Sequence, residues 1–95
     1  MSAEDRTATG IGRRLKAIRL ANGFERQGEF ADALGIGRNA YNSWETGAQR
    51  PGLTQAFRVV DQFGVSLDFI YRGHLHTLPD SVKKSVVSIL NTLRD

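Results

Sequence analysis

Apolar positions in this chain recur three and four residues apart, the spacing of helices that bury one face. Ile11, Leu15 and Ile18 follow i, i+4, i+7, and Asn22-Gly23 then supplies a left-handed stop. Phe30, Ala31 and Leu34 mark a second, short helix that Gly35 ends in the same way. A third starts near Gly37, places Ala40, Tyr41 and Trp44 on one face and stops at Gly47, with Ile36 positioned for a hydrophobic staple to Tyr41. After a loop from Ala48 to Gly52, a fourth helix carries Leu53, Ala56, Phe57, Val60 and Phe63 and closes at Gly64. Ser66 caps a fifth, short helix with Leu67, Ile70 and Tyr71, ended by Gly73. Beyond a linker to Thr77, Val82, Val86, Ile89 and Leu93 repeat at i, i+4, i+7, i+11. The polar, unpatterned stretch Met1 to Thr9 reads as a flexible tail. No stretch alternates like a strand and no segment repeats, so the predicted class is all-α.

Composition narrows this picture. Ninety-five residues, 40% of them hydrophobic and 24% charged, suffice for one small domain but not for a dinucleotide fold with a substrate domain, or a barrel. The longest apolar run is Phe69-Ile70-Tyr71, which predicts no membrane span and no secretory segment. Without cysteine there is no disulfide framework, zinc ribbon or thiol nucleophile, which fits a reducing, cytoplasmic setting. The net charge of +3 is unevenly spread. Residues 6–58 carry nine Lys and Arg against Glu25, Glu29, Asp32 and Glu45, whereas residues 59–95 hold four charges of each sign. A basic first half points to an anionic partner there, although a solvated basic surface has the same composition.

The chemistry concentrates on the second and third helices. Leu34-Gly35-Ile36-Gly37 leaves room only for a tight turn, so the two helices must cross steeply, as in a helix-turn-helix unit. Projected at 100° per residue, Arg38, Asn39, Asn42 and Ser43 share one arc of the third helix, opposite Ala40, Tyr41 and Trp44. Arg and Asn are the side chains that read guanine and adenine edges bidentately in a major groove. A plain solvated face would favour Glu and Lys instead. An arc with no carboxylate suits an anionic groove.

At these residues the chain resembles the lambda-repressor-like helix-turn-helix domains of phage repressors, Cro proteins and Xre-type regulators. The resemblance runs from about Ile11 to Gly73. It rests on Ile11-Gly12-Arg13-Arg14-Leu15 and Arg19, on Gln27-Gly28-Glu29-Phe30-Ala31-Asp32-Ala33-Leu34-Gly35, and on Tyr41 with Trp44-Glu45-Thr46-Gly47. Arg50-Pro51 and Phe63-Gly64-Val65-Ser66-Leu67-Asp68-Phe69-Ile70 complete it. It implies a five-helix domain whose third helix is the recognition helix, here followed by an additional C-terminal helix. Arg38, Asn39 and Ser43 are then the expected base contacts, with Asn42 at the backbone or groove edge. Gln27, Arg50 and Arg14 would position the domain through phosphate, and Arg19 with Glu45 would form a structural pair. Two departures stand out. The turn Phe24-Glu25-Arg26-Gln27 is one residue longer than the commonest form, and Gly37 replaces the usual Ser or Thr cap. Gly28, inside the second helix, costs up to about 1 kcal/mol against Ala.

Other signals are weaker. Gly35-Ile36-Gly37-Arg38-Asn39-Ala40 matches a nucleotide fingerprint in letters but follows a helical pattern rather than a strand. His74 and His76 lack a third ligand at metal spacing, and no catalytic constellation can be assembled. Neither metal nor cofactor is expected. The stripe Val82, Val86, Ile89, Leu93 needs a cover, which could be its own domain, a twin helix in a homodimer, or a protein partner. The expected function is sequence-specific binding of double-stranded DNA by a dimeric transcriptional regulator, a repressor. The alternative is an antitoxin-like or adaptor protein that uses the same scaffold for docking.

Overall fold

Thr7 opens the first helix, α1 (Ala8–Ala21), by accepting a hydrogen bond from the Gly10 amide on its side-chain oxygen at 3.0 Å. The computed structural model describes residues 5–93. The helix therefore begins inside the stretch read from sequence as a tail. Asp5 is tied in as well, its carboxylate accepting from the Thr7 amide at 2.9 Å. The remainder of that stretch, residues 1–4, lies outside the described residues. Asp5 and Thr7 act here by capping, which hydrophobic periodicity does not register.

Helices α2 (Gln27–Leu34), α3 (Arg38–Glu45), α4 (Leu53–Phe63) and α5 (Leu67–Arg72) follow, then a 3-10 turn over Leu75–Thr77 and α6 (Asp80–Thr92). All regular structure among the described residues is helical, as the periodicity predicts. Ser66 caps α5 through the Phe69 amide at 3.0 Å, and Gly37 leaves α3 without a side-chain cap.

An aromatic chain fills the middle of the core. Phe30 stacks on Phe63 at 4.9 Å and meets Phe24 and Tyr41 edge-on, each at 5.3 Å, while Tyr41 meets Trp44 at 5.8 Å. Ile11, Leu15 and Ile18 of α1 close this layer from one side, with Leu34, Val59, Phe69 and Ile70 in the same cluster.

One sequence expectation is corrected here. On α4 the core face is Ala56 and Val59, with Val60 and Phe63 partly buried, an i, i+3, i+4, i+7 stripe. Leu53 and Phe57 lie off that stripe and stay 56% and 45% exposed. Of the three covers open to the C-terminal stripe, a dimerisation candidate, the structure shows packing against its own domain. Val86 is fully buried in the core, and Val82, Ile89 and Leu93 pack against it. Leu78, just before α6, is buried in the same cluster. Helix α6 lies along α1, where the Arg13 guanidinium donates to the Leu93 carbonyl at 3.5 Å. Within the chain Val86 is enclosed and Val82, Ile89 and Leu93 are half-buried, because α1 offers the stripe an apolar face directly, without the entropy loss of association.

Candidate nucleic-acid interface

The helix-turn-helix unit is built around Gly35, whose φ of 69° turns the chain left-handed directly after α2. The Ile36 amide then bonds back to the Ala31 carbonyl at 2.9 Å. Arg58 of α4 reaches across to donate to the Gly35 carbonyl at 2.7 Å, placing a cation at the negative end of the α2 dipole. Turn and helix are thus fixed from a third element.

Beneath α3 lies a buried polar node. Arg19 of α1 meets Glu45 at 2.8 Å, with side chains only 5% and 3% exposed. The guanidinium also donates to the carbonyls of Phe24 and Glu25 at 2.9 and 2.7 Å, so it fastens the longer turn before α2. Glu45 further accepts from the Tyr41 hydroxyl and, at 3.0 Å, from the Gln27 amide nitrogen. Burial, and then the adjacent Glu45 carboxylate, push the Tyr41 hydroxyl well above its ordinary value. A buried carboxylate with this many donors ties α1, α2 and α3 into one rigid unit. The resemblance implied a structural Arg19–Glu45 pair, and the two side chains do meet. Gln27 opens α2, but its amide turns to Glu45 rather than simply outward.

With Tyr41 and Trp44 buried, the opposite arc of α3 faces outward. Arg38, Asn39 and Asn42 are exposed and Ser43 is half-buried, so the four expected site residues of this helix come together on one surface. Arg38 is bound in a bidentate pair to Asp32 of α2, through Nε at 3.2 Å and Nη2 at 2.6 Å. That hydrogen bonding raises the Arg38 pKa and lowers that of Asp32. The Ser43 hydroxyl bonds back to the Ala40 carbonyl at 2.6 Å. Arg50, in the loop after α3, is exposed and its guanidinium lies 3.4 Å from the Arg6 carbonyl, which brings a second arginine to the same edge.

Arg14 is the correction within the expected set. It is 1% exposed, its guanidinium donating to the Ile70 carbonyl at 3.0 Å and the Asp5 carbonyl at 2.6 Å. Burial lowers its pKa to about 10, an effect the Asp5 charge partly opposes. A side chain enclosed between α5 and the N-terminal segment cannot reach phosphate. Its role is to join them. Helical spacing alone carried a hint, since Arg14 falls between Ile11 and Ile18 on the buried side of α1.

Three surface features escaped the sequence reading. Ala40, which helical projection places opposite the polar arc with Tyr41 and Trp44, is exposed at the first turn of α3. Gln49 of the following loop lies 3.4 Å from the Ser43 hydroxyl and joins the same surface. Asp32 stands in the sequence only as a charge and as part of the Gln27 to Gly35 motif, and nothing in its spacing identifies Arg38 as its partner. The rings of His74 and His76 stack at 5.4 Å, and no group of metal-binding side chains occurs among the described residues. Nor is any helix among them long and apolar enough to cross a membrane.

Residues 15–70 match the model of a family described as helix-turn-helix. An SPbeta prophage-derived uncharacterized HTH-type transcriptional regulator of Bacillus subtilis (strain 168), YonR, is 39% identical over 63 residues, which cover 66% of this chain and 57% of that protein. The chain thus spans little more than half the length of this curated relative. No solved structure matches it.

Proposed function

The chain belongs to the helix-turn-helix family, and from that premise we propose that it is a transcriptional regulator that binds double-stranded DNA sequence-specifically through α3. The observation that carries this reading is the outer arc of α3. Arg38, Asn39, Ala40 and Asn42 are exposed together on a helix anchored from behind by the buried Arg19–Glu45 node. Arg38, Asn39 and Ser43 contact base edges, and Asn42 lies at the groove edge. Arg50 and Gln27 hold phosphate, with the α2 N-terminus supplying backbone N–H groups beside Gln27. The relative's description as an HTH-type transcriptional regulator supports the same class.

The regulator acts in the cytoplasm as a homodimer that represses by occupying its site. Since α6 is used within the chain, self-association falls to another face, and the exposed pair Leu53 and Phe57, one turn apart on α4, supports one there. The same pair supports a second reading, an antitoxin-like or adaptor module that docks a protein through this scaffold.

Titration of labelled duplex DNA against salt tests the proposal. DNA binding lowers log K against log salt with a slope of roughly −0.9 per phosphate neutralised. A salt-independent, sequence-indifferent result would favour the docking module.

A further inference from the structure

We propose that Asp32 is a specificity-determining positioning residue, which holds the Arg38 guanidinium so that its free edge reads a guanine. The inference rests on the DNA-binding reading above and deepens it. Arg38 is the first residue of α3, and its exposed side chain reaches back to Asp32 of α2. Asp32 takes the Nε edge of the guanidinium, one oxygen on Nε and the other on Nη2. The remaining end, formed by Nη1 and the second hydrogen of Nη2, is left to present two parallel donors. Two parallel donors are what guanine O6 and N7 accept in the major groove.

Gly28 supplies the space. A Cβ built there would lie 2.9 Å from Cζ and Nη1 of Arg38, so the guanidinium occupies the place of the missing side chain. Gly28 and Asp32 are one turn apart on α2 and together form a notch for a planar cation. A glycine that weakens an eight-residue helix thereby acquires a reason.

As an ion pair this contact does little for stability, because its side chains are 65% and 58% exposed. Its effect is on choice. An unheld arginine at the start of a recognition helix can swing to the nearest phosphate, which carries no sequence information. The Asp32 carboxylate repels phosphate from that position and restrains the guanidinium in the orientation suited to a base edge.

The test is selection of bound duplexes from a randomised library by the full chain and by its Arg38→Ala, Asp32→Ala, Asp32→Asn and Gly28→Ala variants. Folding is monitored in parallel by thermal unfolding. The wild-type chain should enrich a site with one guanine that Arg38→Ala no longer selects, the discrimination at that base falling by roughly 5- to 150-fold. Both Asp32 variants should lose much of that preference while their affinity for random DNA rises several-fold. Gly28→Ala should lose it too, at equal or higher thermal stability, because its methyl displaces the guanidinium without removing either charge. If the Asp32 variants retain the guanine with undiminished discrimination, the pair is only a surface contact and the inference is wrong. Tighter binding to the guanine site with unchanged preference would also overturn it, making Asp32 a competitor of DNA. A wild-type chain that enriches no sequence and shows no salt-dependent binding would instead sink the DNA-binding reading itself.

Discussion

A Cβ on Gly12 would stand 2.4 Å from the carbonyl oxygen of Trp44. Helices α1 and α3 therefore touch backbone to backbone where α3 ends. The same hypothetical atom would lie 2.5 Å from the Glu45 carbonyl oxygen, and neither carbonyl can swing aside as a flexible side chain would. Gly12→Ala should consequently destabilise by about 1–3 kcal/mol despite its better helix propensity, the range of overpacked cores. Urea denaturation would show this as a lower midpoint at unchanged slope. A raised midpoint would mean that the two helices separate without cost.

The Arg19–Glu45 contact is a buried pair, which selects the larger of two possible outcomes for Glu45→Ala. Removal should cost about 3–5 kcal/mol, because Arg19 stays buried and loses its carboxylate. An exposed pair would contribute under about 1 kcal/mol. An unchanged denaturation midpoint would remove the anchoring role of this node.

Tyr41 supplies one component of the pH dependence. Its hydroxyl titrates above the ordinary value of 10.0 in the folded state, owing to burial and then to Glu45. The neutral form is thus favoured by folding, and the associated stability is complete below about pH 10 and lost as pH rises beyond it. The slope from this one group approaches at most about 1.4 kcal/mol per pH unit. Tyr41→Phe should be less stable at neutral pH, having lost its bond to Glu45, yet should fall less steeply above pH 10. Parallel curves for the two proteins across pH 8 to 11 would show that Tyr41 is not responsible.

Helix α6 completes the core. Deleting residues 77–95 removes the buried Leu78 and Val86, each worth about 1.5–3 kcal/mol of burial. That sum is a large part of the roughly 5–15 kcal/mol by which a small domain is stable. The shortened chain should unfold at much lower urea, with sedimentation showing no change of association state before unfolding. A dimeric full-length chain whose truncated form is a stable monomer would restore α6 as the self-association element.

Base and phosphate contacts separate by their effect on random DNA. Asn39→Ala should weaken a selected site by about 1–3 kcal/mol and spare non-specific binding. Arg50→Ala should weaken both alike and reduce the magnitude of the salt slope by about 1. The opposite assignment in binding titrations would exchange the two roles.

The amino-acid sequence by itself determined the helices, the tight turn at Gly35 and the polar arc of α3, because these depend on residues at most a few positions apart. Helical period places Tyr41 and Trp44 on one side of α3 and Asn39 and Asn42 on the other before anything packs. Which polar groups are buried was decided only by tertiary structure. Arg14 and Arg50 carry the same charge in the same basic half, yet one is enclosed beside Ile70 and the other is exposed at the loop edge. That difference is set by α5, 56 residues away from Arg14 in sequence. The cover of the α6 stripe was likewise undetermined, since an amphipathic face specifies that it must be buried but not against what. The Arg38–Asp32 pair belongs to the same class, because it depends on the crossing of two helices and on the space left by Gly28.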